Sequence, residues 1–136
     1  MPPGNSGFTL VESLVAMGLV VSIALGSAQL FTSAITRNLA AREQLAMSLL
    51  ASTKVTDLAA AAADGTVALS PTDSLARTTD GWADVQVQAG RAFVRRWRVS
   101  LVQGFGDEVV AIAVRVSPAA GPGELRVATI RERLPR

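Results

Sequence analysis

Residues 8–36 read FTLVESLVAMGLVVSIALGSAQLFTSAIT, and this stretch decides the fold of the chain. Glu12 is its only charged side chain, and residues 13–36 carry no charge at all. At about 1.5 Å per residue, a helix over 13–36 reaches roughly 36 Å, more than the hydrocarbon core of about 30 Å. The stretch contains no proline. It therefore predicts a transmembrane helix segment over residues 8–36.

Three interpretations of this apolar segment compete. A cleaved secretory signal would use the small residues Gly26-Ser27-Ala28 and leave a chain that begins at Gln29, but the leading residues MPPGNSG contain no Lys or Arg. A plain single-pass anchor agrees with the length and leaves Glu12 without a role. The third interpretation is a segment that enters the membrane and later packs against other copies in a filament.

Glu12 separates these interpretations. A carboxylate inside hydrocarbon costs several kcal/mol, so such a group is expected to have a partner. Alternatively, Glu12 lies at headgroup level near the start of the helix, where it favours the positive end of the helix dipole. The residues alone leave both possibilities open.

The run Gly7-Phe8-Thr9-Leu10-Val11-Glu12 resembles the prepilin processing motif of type IV pilins and type II secretion pseudopilins. The resemblance covers residues 7–36. It implies that prepilin peptidase cuts after Gly7, removes the leader 1–7, and N-methylates Phe8. It also implies that Glu12 pairs with the N-terminal amine of a neighbouring subunit during assembly. The implied partners are the peptidase, other pilin or pseudopilin subunits and inner-membrane lipid, with the C-terminal head in the periplasm before assembly into a filament.

The chain departs from the family pattern in several respects. The leader lacks Lys and Arg, whereas Arg37 and Arg42 follow the apolar segment. By loop charge alone those arginines favour the cytoplasmic side, and the resemblance implies the reverse. The apolar segment has no kinking proline, and the chain has no cysteine for a C-terminal disulfide. The missing proline and disulfide indicate a minor pilin or minor pseudopilin more than a main filament subunit. The helix start Glu12-Ser13-Leu14-Val15-Ala16-Met17 resembles that of the V-type minor pilins and I-type minor pseudopilins.

The remaining residues predict a head domain built on the same helix. Residues 37–63 are rich in good helix formers and carry an apolar stripe that includes Leu45 and Leu49. Asp64-Gly65 ends this amphipathic continuation. Residues 64–81 are rich in turn formers and predict a connecting loop, with a short irregular strand at 67–69.

Residues 82–136 alternate between apolar and polar side chains, which predicts an antiparallel sheet of about four strands. Turns are expected at Ala89-Gly90, 104–106 and 118–123. One apolar face needs a cover, and the stripe on 37–63 supplies it. The predicted fold is α+β, a long N-terminal helix packed on a four-stranded antiparallel sheet in a pilin-like layout. On the first strand, Val85 and Val87 are expected to share the apolar face with Ala83.

Arginines dominate the C-terminal third, where residues 91–136 contain nine of them against four acidic residues. Arg95 interrupts an apolar face and is expected at a sheet edge. Arg91, Arg95, Arg96 and Arg98 interleave with aromatic residues and could contact DNA phosphates. A solvated strand face that discourages edge pairing explains them more simply. Acidic residues of neighbouring subunits or anionic lipid headgroups are favoured as partners over DNA.

Composition excludes most catalytic chemistry. The chain has no histidine and no cysteine, so a Ser-His-Asp hydrolase, a thiolate metal site and a disulfide framework are excluded. We expect no enzyme activity, cofactor, metal or small-molecule substrate. The predicted function is that of a minor pilin or pseudopilin. The alternative is a single-pass membrane-anchored periplasmic binding or accessory domain that is not cleaved at Gly7.

Overall fold

The structure, a computed structural model, describes residues 9–134, so the predicted processing residues Gly7 and Phe8 lie outside the described residues. A long helix is followed by four strands that form one antiparallel sheet in the order β1-β2-β3-β4. This arrangement confirms the predicted α+β fold. The elements are α1 Leu10–Ala63, β1 Ala83–Gln88, β2 Arg91–Leu101, a short 3-10 turn Gly106–Glu108, β3 Val109–Pro118 and β4 Leu125–Glu132.

The chain divides into two compact units, the first ending at Ala41 and the second beginning at Arg42. The first unit contains the apolar part of α1. The most hydrophobic 18 residues of this helix have a mean hydropathy of 2.0, and none of them is buried inside the protein. This helix is long and apolar enough to cross a membrane. Its hydroxyls also donate to carbonyl oxygens of the preceding turn, which satisfies them without water. These bonds run from Ser22 to Gly18, Ser27 to Ile23, Thr32 to Ala28 and Thr36 to Thr32.

The second unit is the head, in which the last part of α1 covers one face of the sheet. Leu45 and Leu49 of the predicted stripe do not belong to this contact, because they are 61% and 49% exposed. We call the covered face the inner face and the opposite one the outer face. Two small helix residues, Ala51 and Ala62, are completely buried in the head. Asp64-Gly65 ends the helix as predicted, with Gly65 at a φ of +67°. The core consists of Ala46, Met47, Ala51, Ala62, Val67, Phe93, Trp97, Val99, Val110, Ile112, Val114 and Val116.

The predicted turn at Ala89-Gly90 joins β1 and β2. Both residues have positive φ, 51° and 77°, the combination that a two-residue hairpin needs to match the twist of its strands. The β2 and β3 strands pair from Phe93↔Pro118 to Leu101↔Val110. Because this register places Trp97 opposite Val114, the buried side chains of both central strands lie on the inner face.

The structure corrects the prediction for 67–69, which is loop within the described residues. Val67 is nevertheless buried in the core. Ser70, three residues after Val67, pairs with β2 in place of a strand. Its N–H donates to the Val99 carbonyl oxygen, and its Oγ accepts the Val99 N–H, both at 2.9 Å. These bonds satisfy the part of β2 that extends past the start of β1.

Two predictions about strand faces are wrong. Val85 and Val87 are 61% and 72% exposed and lie on the outer face, so the inner face of β1 carries Asp84 and Gln86 instead. Arg95 is not at an edge, because β2 lies between β1 and β3, and the residue is only 8% exposed. One cause explains both errors: the register pairs Asp84 with Arg95, and this turns the polar side of β1 inward.

Candidate functional site

Glu12 lies in the first turn of α1. Its N–H donates to the Thr9 carbonyl oxygen at 3.0 Å and approaches the Thr9 hydroxyl at 3.3 Å. Thr9 therefore acts as an N-cap for the helix, because a hydroxyl before the first turn satisfies a free backbone N–H. The carboxylate of Glu12 stands at the positive end of the helix dipole. Within the described residues, the helix begins at Leu10.

The surroundings of Glu12 are apolar and exposed. Leu10, Val11 and Leu14 are 80%, 70% and 65% exposed. Within residues 9–134 no ion pair or side-chain hydrogen bond involves the Glu12 carboxylate. If this part of α1 lies in lipid, a partner for the carboxylate has to come from outside the described residues.

Of the three predicted site residues, the structure therefore describes one. Glu12 lies in the first turn of α1, among exposed apolar side chains. Gly7 and Phe8 lie outside the described residues, and nothing in the described part of the chain brings a second charge to Glu12.

A second polar cluster lies on the inner face of the head. Arg95 donates to both carboxylate oxygens of Asp84, from Nε at 2.8 Å and from Nη2 at 2.6 Å, and from Nη1 to the Leu50 carbonyl at 3.3 Å. The hydrogen bonds from Arg95 hold the pKa of Asp84 below its ordinary value, although burial opposes this. The same hydrogen bonds raise the pKa of Arg95. This cluster ties β1, β2 and α1 together, and because its donors and acceptors are mutually satisfied, we assign it a structural role.

A third cluster crosses the outer face of the sheet. Arg96 on β2 lies directly opposite Arg115 on β3, which lies opposite Arg126 on β4. Arg98 lies two residues further along β2, on the same face. Sequence reasoning missed this row because it grouped the arginines along one strand. The polar positions of Arg115 and Arg126 in alternating strands were the available signal, but strand register was needed to combine them.

Arg96 and Arg98 of β2 lie on the face opposite to its aromatic residues. Phe93 and Trp97 are buried on the inner face, 1% and 7% exposed, and Lys54 stacks over the Trp97 ring at 3.6 Å. Arg91 forms an ion pair with Glu43 at 2.5 Å. Neither ring is therefore available to stack on bases beside the outer-face arginines.

Comparison of the chain with protein-family models, curated proteins and solved structures gives no match. Function is therefore argued from the residues and geometry described above.

Proposed function

We propose that this chain is a minor pilin or minor pseudopilin. In this proposal the precursor crosses the inner membrane once with its head in the periplasm, and prepilin peptidase cleaves it between Gly7 and Phe8. The mature chain is a structural subunit that joins, or primes, a type IV pilus or a type II secretion pseudopilus, and it catalyses no reaction. The observation that carries the proposal is Glu12, a carboxylate on an exposed apolar helix with no partner among residues 9–134.

Charge neutralisation explains how Glu12 would act. Cleavage after Gly7 frees a positive amine on Phe8, four residues before Glu12. In a low-dielectric medium, opposite charges from two copies offset part of each other's desolvation cost. The contact forms only when the two helices are in one register, so it would align an incoming subunit. The motif around Gly7 and the layout of helix and sheet both support this assignment.

Processing is tested by intact-mass and N-terminal sequencing of the chain from cells that contain prepilin peptidase. We expect a mature chain that begins at N-methylated Phe8. Gly7→Leu should block cleavage because a bulky side chain replaces the smallest residue at the cut, whereas Gly4→Leu, in the same leader, should be processed normally. A chain that keeps Met1 contradicts the proposal and supports an uncleaved anchor, and one that begins at Gln29 supports a secretory signal.

Assembly is tested with Glu12→Ala, which removes the carboxylate but leaves the processing residues in place. We expect normal cleavage and an about tenfold or greater loss of the chain from the filament fraction, because the incoming amine loses its counter-charge. Ser13→Ala is the matched control and should assemble like the natural chain. Normal incorporation of the Glu12→Ala chain would show that charge pairing does not drive assembly.

Orientation can be tested with the same cells. If the head is periplasmic, protease added to spheroplasts should digest residues of the sheet and leave an apolar fragment in the membrane. Digestion that requires lysis would place the head in the cytoplasm, the side that loop charge favours for Arg37 and Arg42.

One observation favours a second candidate, a single-pass anchored module. The Glu12 N–H bonds the Thr9 hydroxyl, which caps the start of the helix. Helix capping alone therefore explains why Thr and Glu stand three residues apart. In this alternative Glu12 needs no second subunit. The mass measurement on Gly7 separates the candidates, because an anchored module retains its first seven residues.

A further inference from the structure

The arginine row on the outer face places like charges side by side. Neighbouring strands lie about 4.8 Å apart, so the Arg96, Arg115 and Arg126 side chains start from adjacent positions. Like charges directly opposite one another destabilise a sheet. The row therefore opposes folding unless something neutralises it.

Neutralisation within the described chain is incomplete. Arg115 forms an ion pair with Glu124 and donates to the Leu75 carbonyl at 3.3 Å. Arg96 has only a neutral acceptor, the hydroxyl of Thr78, at 3.2 Å from Nη2. Arg98 and Arg126 take part in no side-chain hydrogen bond or ion pair with residues 9–134. Among residues 9–134, the guanidinium groups of Arg96, Arg98 and Arg126 therefore have no carboxylate partner.

The side chains around the row are small and aliphatic. Ala113 and Ala128 lie beside Arg98 across the strands, and Val85, Val87 and Ile130 are exposed on the same face. Arginine among exposed apolar side chains is typical of protein–protein interfaces. Single-stranded nucleic acid is bound on aromatic platforms, and the two aromatic residues of β2 lie on the other face. The composition of this face favours a protein partner over nucleic acid.

The geometry also indicates which chemical group fits. A guanidinium fork binds a carboxylate through two parallel hydrogen bonds, and this head already uses that pairing between Arg95 and Asp84. Arg115 with Glu124 shows that a carboxylate is accommodated within the row itself. Arg96 and Arg98 are two residues apart on a strand, or about 6.8 Å. That distance equals the separation of acidic side chains at alternate positions of an extended segment.

We propose that these outer-face arginines dock an extended acidic segment of another protein, whose carboxylates at alternating positions meet Arg96 and Arg98 along β2 while Arg126 adds positive charge from β4. The inference depends only on described residues of the head. The outer-face arginines are the same in an anchored module and in a filament subunit. The docking proposal therefore does not depend on cleavage at Gly7.

The test uses the full chain in detergent micelles and a fluorescent peptide with three glutamates at alternating positions. Fluorescence anisotropy at low ionic strength should detect binding that weakens as salt approaches about 0.15 M. Replacing Arg96, Arg98 and Arg126 with Gln should weaken binding about tenfold or more. The control replaces Arg42, Arg131 and Arg133 with Gln, which removes the same charge away from the row and should change affinity less than about twofold.

A charge reversal distinguishes loss of binding from loss of folding, because an unfolded variant would not gain affinity for a peptide of the opposite charge. The variant with Arg96→Glu, Arg98→Glu and Arg126→Glu should bind the matching lysine peptide and reject the glutamate peptide. Its circular dichroism should match that of the natural chain. The proposal is overturned if the two Gln variants lose affinity equally, or if the natural chain does not bind the glutamate peptide. It is also overturned if an oligonucleotide or anionic vesicles bind the row more tightly than the peptide, since the partner would then be nucleic acid or lipid.

Discussion

At the scale of single residues, the charge of Arg95 inside the head is tolerated because Asp84 faces it. Removing one member of a buried ion pair leaves the other uncompensated, which costs about 3 kcal/mol. We therefore expect Asp84→Asn to lower the free energy of unfolding by about 2–3 kcal/mol at pH 7. Urea unfolding followed by circular dichroism measures this loss. Asp73→Asn is the control, because its pair with Arg77 is exposed and 3.8 Å long, and it should change stability little.

The lowered pKa of Asp84 determines how the stability difference between the natural chain and Asp84→Asn depends on pH. A carboxylate whose pKa is lower in the folded state stabilises the fold above its unfolded pKa of about 4, and the contribution disappears as pH falls through the folded pKa. The gap between the natural chain and Asp84→Asn should therefore shrink below about pH 4. A gap that stays constant across that range would show that the ionised carboxylate is not the stabilising group.

At the scale of the elements, hydrophobic periodicity predicted the four strands, and the Asp64-Gly65 stop signal predicted the end of α1. Periodicity failed for the face of β1, because alternation places Val85 and Val87 together but does not show which face the helix covers. The deciding interaction is the pairing of Asp84 with Arg95, which depends on register and burial. The alternation of polar and apolar residues places Arg95 on the apolar face, but it does not show that Asp84 pairs with it there.

The arginine row also could not be predicted from the pattern of residues along single strands. Arg96, Arg115 and Arg126 are separated by 19 and 11 positions in the chain, and only the antiparallel register brings them side by side. The motif at Gly7 and Phe8 is contiguous, but its assignment stays a prediction because those residues lie outside the described ones. Local signals were accessible in advance, whereas sites assembled across strands required the pairing of the sheet.

At the scale of the whole molecule, the division after Ala41 makes a prediction about independent folding. The buried hydrophobic core begins at Ala46 and ends at Val116, so a chain that starts at Arg42 keeps all of it. We expect residues 42–136 to fold without detergent and to unfold cooperatively on heating. Circular dichroism at increasing temperature measures this, with the full chain in micelles as reference.

A shorter fragment tests whether the sheet folds without the part of α1 that covers it. Residues 56–136 keep every strand but lose Met47 and Ala51 from the core, as well as the Leu50 carbonyl that binds Arg95. Buried side chains of this kind contribute several kcal/mol against a typical domain stability of about 5–15 kcal/mol, and the inner face of the sheet would be uncovered. This fragment should aggregate or lack a cooperative transition. If 42–136 behaves in the same way, the apolar segment is required for the head to fold, and the two units are not independent.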